Sequence, residues 1–307
     1  MSSKWTTADI PDQAGRTFIV TGATSGLGLE TTRALARKGA HVVMAVRDEA
    51  RGRAAAAAIT EERPGADLEV RRLDLADLET VESFAADFTG RVDVLVNNAG
   101  IMAPPHSLSP QGHESQFATN HLGHFALTGL LLERVERGRE PRVVTVSSLA
   151  HGHGRIHFDD LAGERRYSPT AYYGQSKFAN MLFALELDRR LRAAGSPVRS
   201  LVAHPGLAAT NLIQSFSAPV RFISRLVVPL ITQSAADGAL PQLYAATDPR
   251  AESGQYIGPD GRREHKGAPT VVRPVEAAGD PDTARRLWEL SEKLTGVRFH
   301  LPVPTRP

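Results

Sequence analysis

Tyr173 and Lys177 lie four residues apart in TAYYGQSK (Thr170 to Lys177), and Leu, Ala, Glu and Phe dominate the stretch from there to Gly195. That composition predicts a helix. Residues i and i+4 of a helix share a face, with Cβ atoms about 5–6 Å apart. A free phenol, with a pKa of roughly 10, exchanges protons poorly at neutral pH, but a neighbouring ammonium favours the phenolate and lowers that value. The pair is therefore suited to general acid–base work. Tyr172 has Ser176, not a lysine, four places on, so Tyr173 is the partnered tyrosine. Tyr-x-x-x-Lys also arises by chance on helix faces, and its weight rests on what surrounds it. Other chemistries have less support. The chain has no Cys, which excludes disulfides, thiolate metal sites and cysteine nucleophiles. His151, His153 and His157 in HGHGRIH lack an organised carboxylate partner and alternate with flexible loop residues, so no metal is assigned to them.

The elements that must position these residues begin with RTFIVTG (Arg16 to Gly22), a short apolar strand of the kind buried on both faces of a parallel sheet. It runs into TGATSGLG (Thr21 to Gly28) and then a helix from Leu29 to Arg37, closed by Gly39. Gly22, Gly26 and Gly28 let a backbone approach a pyrophosphate, with Thr24, Ser25 and Leu27 between them at a helix N-terminus that supplies amide N–H groups. The first gap is one residue longer than in the usual dinucleotide fingerprint. The second strand, HVVMAV (His41 to Val46), ends where an acidic residue would bond a ribose 2′-hydroxyl. Val46 stands there instead, and Arg47 can fork onto a 2′-phosphate, which favours NADP(H) over NAD. Asp48 is suited to capping the next helix.

That helix spans Glu49 to Glu62, includes five consecutive alanines (Ala54 to Ala58) and ends at Pro64-Gly65. The alternation repeats: strand Leu68 to Leu75, helix Leu78 to Phe88, strand Val92 to Gly100, a Pro-rich loop, a long helix ending near Arg137, and strand Pro141 to Ser148. Strand Val198 to Ala203 follows the tyrosine helix. Such alternation implies right-handed crossovers and one α/β domain over residues 1–307, a Rossmann-type doubly wound parallel sheet of about seven strands with helices on both faces. Residues 1–15 read as a polar arm, 207–233 as a substrate lid region, and 281–307 as a helix (Asp282 to Leu294) and tail. Within the lid, Ser217 to Ile231 is apolar and broken by Pro219 and Pro229. GPDG (Gly258 to Gly261) reads as a turn. The 41% hydrophobic and 23% charged content is globular, and the net charge of +2, with both signs interspersed, demands no nucleic-acid partner. The N-terminus has no apolar run, so neither a signal peptide nor a membrane anchor is expected, and the chain reads as cytoplasmic.

Together these residues resemble the short-chain dehydrogenase/reductase family. TGATSGLG matches its glycine turn, NNAG (Asn97 to Gly100) its mid-chain signature and YGQSK (Tyr173 to Lys177) its active-site motif. Asn120 in ATNHLGHF resembles the catalytic Asn, Ser148 in VTVSS the catalytic Ser, and HPGLAAT (His204 to Thr210) the Pro-Gly turn beside the nicotinamide. The matches cover roughly residues 16–210. The resemblance implies that Asp74 and Leu75 flank an adenine, and that Asn98, Ala99 and Gly100 line the cofactor cleft with Pro205, Gly206 and Thr210. Ser147 competes with Ser148; alternation along a strand sends only one into the cleft, and the family pattern favours Ser148. Ser148 and Tyr173 are 25 residues apart. The insert between them, with SGQYIGPDG and RLWELSEKLTGVRF near the C-terminus, looks like a bacterial member of the retinol dehydrogenase-like branch, which also contains WW-domain oxidoreductases. The implied activity is NADP(H)-dependent interconversion of a carbonyl and an alcohol on a hydrophobic small molecule. In it Tyr173 is acid and base, Lys177 lowers its pKa and holds the ribose, Ser148 bonds the substrate oxygen, and Asn120 holds a water. Reduction of an enone C=C bond and non-catalytic sensing of the NADPH/NADP ratio stay open, and the family's habit of pairing its catalytic-side helices admits a homo-oligomer.

Overall fold

Apolar, β-branched runs separated by helices build one eight-stranded sheet in the computed structural model, which describes residues 4–207 and 233–301. The strands are β1 (Thr17–Thr21), β2 (His41–Val46), β3 (Asp67–Arg72), β4 (Val94–Asn97), β5 (Arg142–Val146), β6 (Arg199–Ala203), β7 (Tyr256–Pro259) and β8 (Pro269–Val272). Their order is β3-β2-β1-β4-β5-β6-β7-β8, with every pairing parallel except β7 with β8. The order reverses between β1 and β4, and the carboxyl ends of those strands therefore open a crevice.

Alternate residues of the strands feed two cores. Ile19, Val43, Leu95 and Val143 face α3 (Leu78–Asp87), α5 (Gly123–Glu136) and α6 (Pro169–Ala193). Phe18, Val42, Met44, Val96 and Val144 face α1 (Gly26–Arg37), α2 (Glu49–Glu62) and α7 (Ala235–Thr247). The helix α8 (Pro281–Thr295) lies outside α5 and α6, where Trp288 joins Phe125, Phe183 and Phe299. Among the described residues no helix is long and apolar enough to cross a membrane.

The C-terminal third departs from the sequence expectation. The sheet has eight strands rather than about seven, because the segment read as a GPDG turn puts Gly258 and Pro259 inside β7, paired with Thr270 and Pro269. Four-residue strands containing Pro and Gly carry too little periodicity to read. Helix α7 went unread because Gly238 and Pro241 sit inside it; its stability comes from burial against α1 and the sheet. The N-terminal arm is more than a polar tether: Trp5 and Ile10 are buried in the second core, Trp5 edge-on to Tyr244 at 5.5 Å.

The long helix before β5 is not uniform. A turn of α4 (Ser115–Phe117) passes into a π-helical stretch, Ala118–Leu122, before α5 begins. Such single-turn bulges frequently mark functional sites. Asn120 sits in the middle of this one.

Candidate active site

The crevice is a cleft of about 410 Å³ whose wall includes Gly22, Thr24, Ser25, Gly26, Leu27, Gly28, Asn98, Ala99 and Gly100. Gly22 and Gly26 have φ of +68° and +55°, a region that suits glycine. A Cβ on Gly28 would strike the Gly22 carbonyl and lie 2.6 Å from the Asn98 amide. The glycine turn and the NNAG turn are thus seated on each other. Asn98 Nδ2 donates to the Thr21 carbonyl (2.7 Å), and the N–H groups of Asn98 and Ala99 both donate to Thr21 Oγ1 at 2.9 Å. No side chain caps the first turn of α1, whereas Asp48, Asp77 and Asp280 cap α2, α3 and α8. Its free amide N–H groups and glycine cradle fit a pyrophosphate.

At the far end, Arg47, Asp48 and Arg51 line the cleft, opposite Leu73, Asp74 and Leu75. Asp48 accepts the Arg51 N–H at 3.1 Å and so caps α2. Gly52 brings that helix close to the sheet: a Cβ there would lie 2.7 Å from Val70 Cγ1 and 2.8 Å from Val46 Cγ2. This close seating carries Arg51 to the rim beside Arg47, both exposed. Arg51 was not singled out from sequence. The signal was there, since a residue three places after the N-cap at Asp48 must point back over the first turn.

At the other end, Ser147, Tyr173 and Lys177 line the cleft, with the Asn120 side chain beside Lys177 and Ser148 next to Tyr173. A Cβ on Gly100 would stand 3.2 Å from Asn120 Oδ1 and 3.4 Å from Lys177 Nζ, so both polar atoms border the space that this glycine leaves open. Lys177 Nζ donates to the Val146 carbonyl at 3.1 Å and lies 5.9 Å from the centre of the Tyr173 ring. Burial pushes the Lys177 amine down to about 8. The expectation that the ammonium lowers the Tyr173 pKa needs correction for the protein alone. Burial pushes the half-buried Tyr173 phenol up, and the neighbouring Ser148 hydroxyl opposes this. The desolvated lysine is directed at a backbone carbonyl.

Asn120 is held on three sides. Its Oδ1 accepts the Ile101 N–H (2.8 Å), and its Nδ2 donates to the Ile101 carbonyl (3.0 Å) and to Ser176 Oγ (2.9 Å). Both amide hydrogens are used, which leaves one lone pair of Oδ1 for a further ligand. His124, four residues on, was missed from sequence and fixes this geometry. Its Nδ1–H donates to the Asn120 carbonyl (2.9 Å), so its Nε2 accepts the hydroxyl proton of Thr21 (2.9 Å). Burial holds His124 down at about 4, and it is neutral. One imidazole therefore ties the NNAG turn to the π-helical turn.

Residues 16–220 match the short chain dehydrogenase family. The chain belongs to that family. It is 38% identical to retinol dehydrogenase 12 of Mus musculus over 290 residues, spanning 93% of this chain and 88% of that one. Identity to human retinol dehydrogenase 13 is 41%, over 92% of this chain and 85% of its relative. Mouse polyprenol dehydrogenase is 40% identical, with 94% and 86% covered. A solved structure from Mycobacterium paratuberculosis matches with a TM-score of 0.82 and 48% identity, over 97% of this chain and all of that chain. The chain is a short-chain oxidoreductase of the retinol dehydrogenase-like branch.

In this short-chain dehydrogenase, Tyr172 points away from the cleft. Its hydroxyl donates to the Asp160 carbonyl at 2.6 Å, and burial holds the phenol up at about 12. Ser147 Oγ donates to the Lys177 carbonyl at 2.8 Å, inside the protein, while Ser148 starts a 3-10 turn and accepts the Ala150 N–H. The three loop histidines separate: His151 is buried with Nδ1 on the Ser148 carbonyl (2.7 Å), His153 is exposed, and His157 stacks on Tyr172 at 5.7 Å. Pro205 lines the cleft and Gly206, at φ +62°, turns beside it. Thr210 and the apolar segment 217–231 lie outside the described residues.

Proposed function

We propose that the protein is an NADP(H)-dependent oxidoreductase that interconverts a carbonyl and an alcohol on a hydrophobic small molecule, working in the cytoplasm. One observation carries the reading: a single cleft has two arginines at one end and Tyr173 and Lys177 at the other, with Asn120 beside Lys177, Ser148 next to Tyr173 and a glycine cradle between the two ends. The relatives supply context. Their names give retinol and polyprenol, alcohols on long apolar chains, as substrates, and a structure from Beutenbergia cavernae, 28% identical with a TM-score of 0.63, holds NADP.

The bound nicotinamide would supply or accept the hydride. The chain's own part is the proton and the placement of charge. Tyr173 gives a proton to the substrate oxygen in reduction and takes it in oxidation. Ser148 donates a hydrogen bond to the same oxygen, where negative charge develops. Lys177 is poised to hold ribose hydroxyls, and the remaining Oδ1 lone pair of Asn120 can hold a water near its ammonium. Arg47 and Arg51 bracket the place of a 2′-phosphate.

Retinal, the aldehyde of retinol, tests this directly, because it carries a carbonyl conjugated to C=C bonds. Incubated with the enzyme and NADPH, it should give retinol. A product saturated at the double bond would assign C=C reduction instead. Tight NADPH binding with no turnover of retinal or of any other aldehyde or ketone in a broad panel would point to a nucleotide sensor.

A further inference from the structure

The turn after β6 is held by a second set of groups that the reaction itself does not use. His204 is fully buried directly after β6, 5.0 Å from the Tyr256 ring. Gly258 makes room for it, since a Cβ there would run into the imidazole. The Gly206 N–H donates to His204 Nδ1 at 3.2 Å, so Nδ1 carries no proton. The hydrogen must then sit on Nε2, where it is donated to Glu264 Oε2 at 3.0 Å. Burial pushes the imidazole down to about 3, so this is a neutral ring with one defined tautomer.

Glu264 is delivered by a strained loop. Arg263 and Glu264 both have left-handed backbones, with φ of +53° and +58°, which side chains with a Cβ disfavour. The same loop presents the His265 carbonyl to the Leu207 N–H at 2.8 Å. Gln233 completes the frame: its Nε2 donates to the Pro205 carbonyl (2.7 Å) and its Oε1 accepts the Gly267 N–H (3.2 Å). The turn that lines the cleft at Pro205 is therefore clamped from the β7–β8 connection.

We propose that Glu264 is a positioning residue for the Pro205–Gly206 turn, acting through His204, whose proton-bearing nitrogen its carboxylate selects. Without an acceptor at Nε2, only the long Gly206 N–H contact to Nδ1 holds the hydrogen there. In the other tautomer an Nδ1–H would face the Gly206 N–H, two donors in opposition, and the turn would move. The role in nucleotide placement rests on the proposed NADP(H)-dependent function; the choice of tautomer does not.

The test uses the full-length protein labelled with 15N-histidine, and two-bond proton–nitrogen spectra that report which ring nitrogen of His204 is protonated. The native protein should show the Nε2–H form. Glu264→Ala should give mixed tautomers and about tenfold weaker binding of NADPH, the change expected for one lost hydrogen bond. Glu264→Gln keeps an acceptor and should restore both, and adding Glu264→Ala to His204→Asn should cost nothing further. Native tautomer and affinity in Glu264→Ala, a Gln variant as impaired as the Ala variant, or additive losses in the double variant would each overturn the proposal. If Glu264→Ala does not fold, the native spectrum still decides, since an Nδ1–H ring there contradicts the assignment. Neither tautomer nor binding needs turnover, so failure of the proposed reaction would register separately.

Discussion

Lys177 carries a desolvation cost that has a pH signature. Unfolded, its amine titrates near 10.5; folded, burial brings it to about 8. Between those values the unfolded chain holds a proton that the native chain has lost, so native stability rises with pH through that window. Below about 8 the cost is fully felt. Lys177→Met has no such group, so the native protein should gain on the variant by about 3 kcal/mol between pH 8 and 10.5. Denaturant unfolding at stepped pH, without nucleotide, measures this, and parallel curves would refute it. The pairing of Tyr173 with Lys177 was legible from spacing, because a four-residue step on a helix fixes a shared face. What the lysine does to the phenol was not, because desolvation and the Val146 carbonyl come from strands far away in the sequence. His124 escaped for the same reason: its partner Thr21 is distant in the chain, and only the fold joins them.

Helix α2 decides how the arginine end of the cleft is equipped. Its long alanine run made it legible from Glu49 to Glu62, and the observed bounds agree. Its seating depends on Gly52. Gly52→Val would push α2 off Val46 and Val70, costing about 1–3 kcal/mol, and would withdraw Arg51 from the rim. Arg47→Ala and Arg51→Ala should each weaken NADPH binding by about 1.5–3 kcal/mol, the range for a charge-assisted hydrogen bond, and leave NADH nearly unchanged. Titration of both nucleotides against the three variants checks this; equal loss for NADPH and NADH would remove the 2′-phosphate from the account. Elements with long, unbroken periodicity could be read in this way. Helix α7 and strands β7 and β8 could not, since Pro241, Pro259 and Pro269 mask their pattern and tertiary burial overrides local preference. The π-helical turn at Asn120 has no sequence pattern of its own and shows only in the backbone between α4 and α5.

Across the whole molecule, α8 covers the outer face of α5 and α6. Trp288, 2% exposed, packs 5.1 Å from Phe125 and 4.5 Å from Phe299, with the Arg190 guanidinium 4.4 Å from its ring centre. Light scattering should therefore find no pairing through this face in the native protein. Trp288→Ala should cost about 3–5 kcal/mol and promote association by baring the face; a native dimer that cross-links through α5 and α6 would contradict this. The fold gathers Lys177, Ser148 and Asn120 around one tyrosine, Tyr173, which moves the proton in the proposed reaction. The most direct measurement compares turnover of retinal with NADPH, at saturating nucleotide, in Tyr173→Phe and Tyr172→Phe. Loss of the Tyr173 hydroxyl should lower kcat by about two to four orders of magnitude with NADPH binding kept. Tyr172→Phe should keep turnover and lose about 1 kcal/mol of stability with its bond to Asp160. Near-native turnover in Tyr173→Phe, with activity abolished in Tyr172→Phe, would contradict the account.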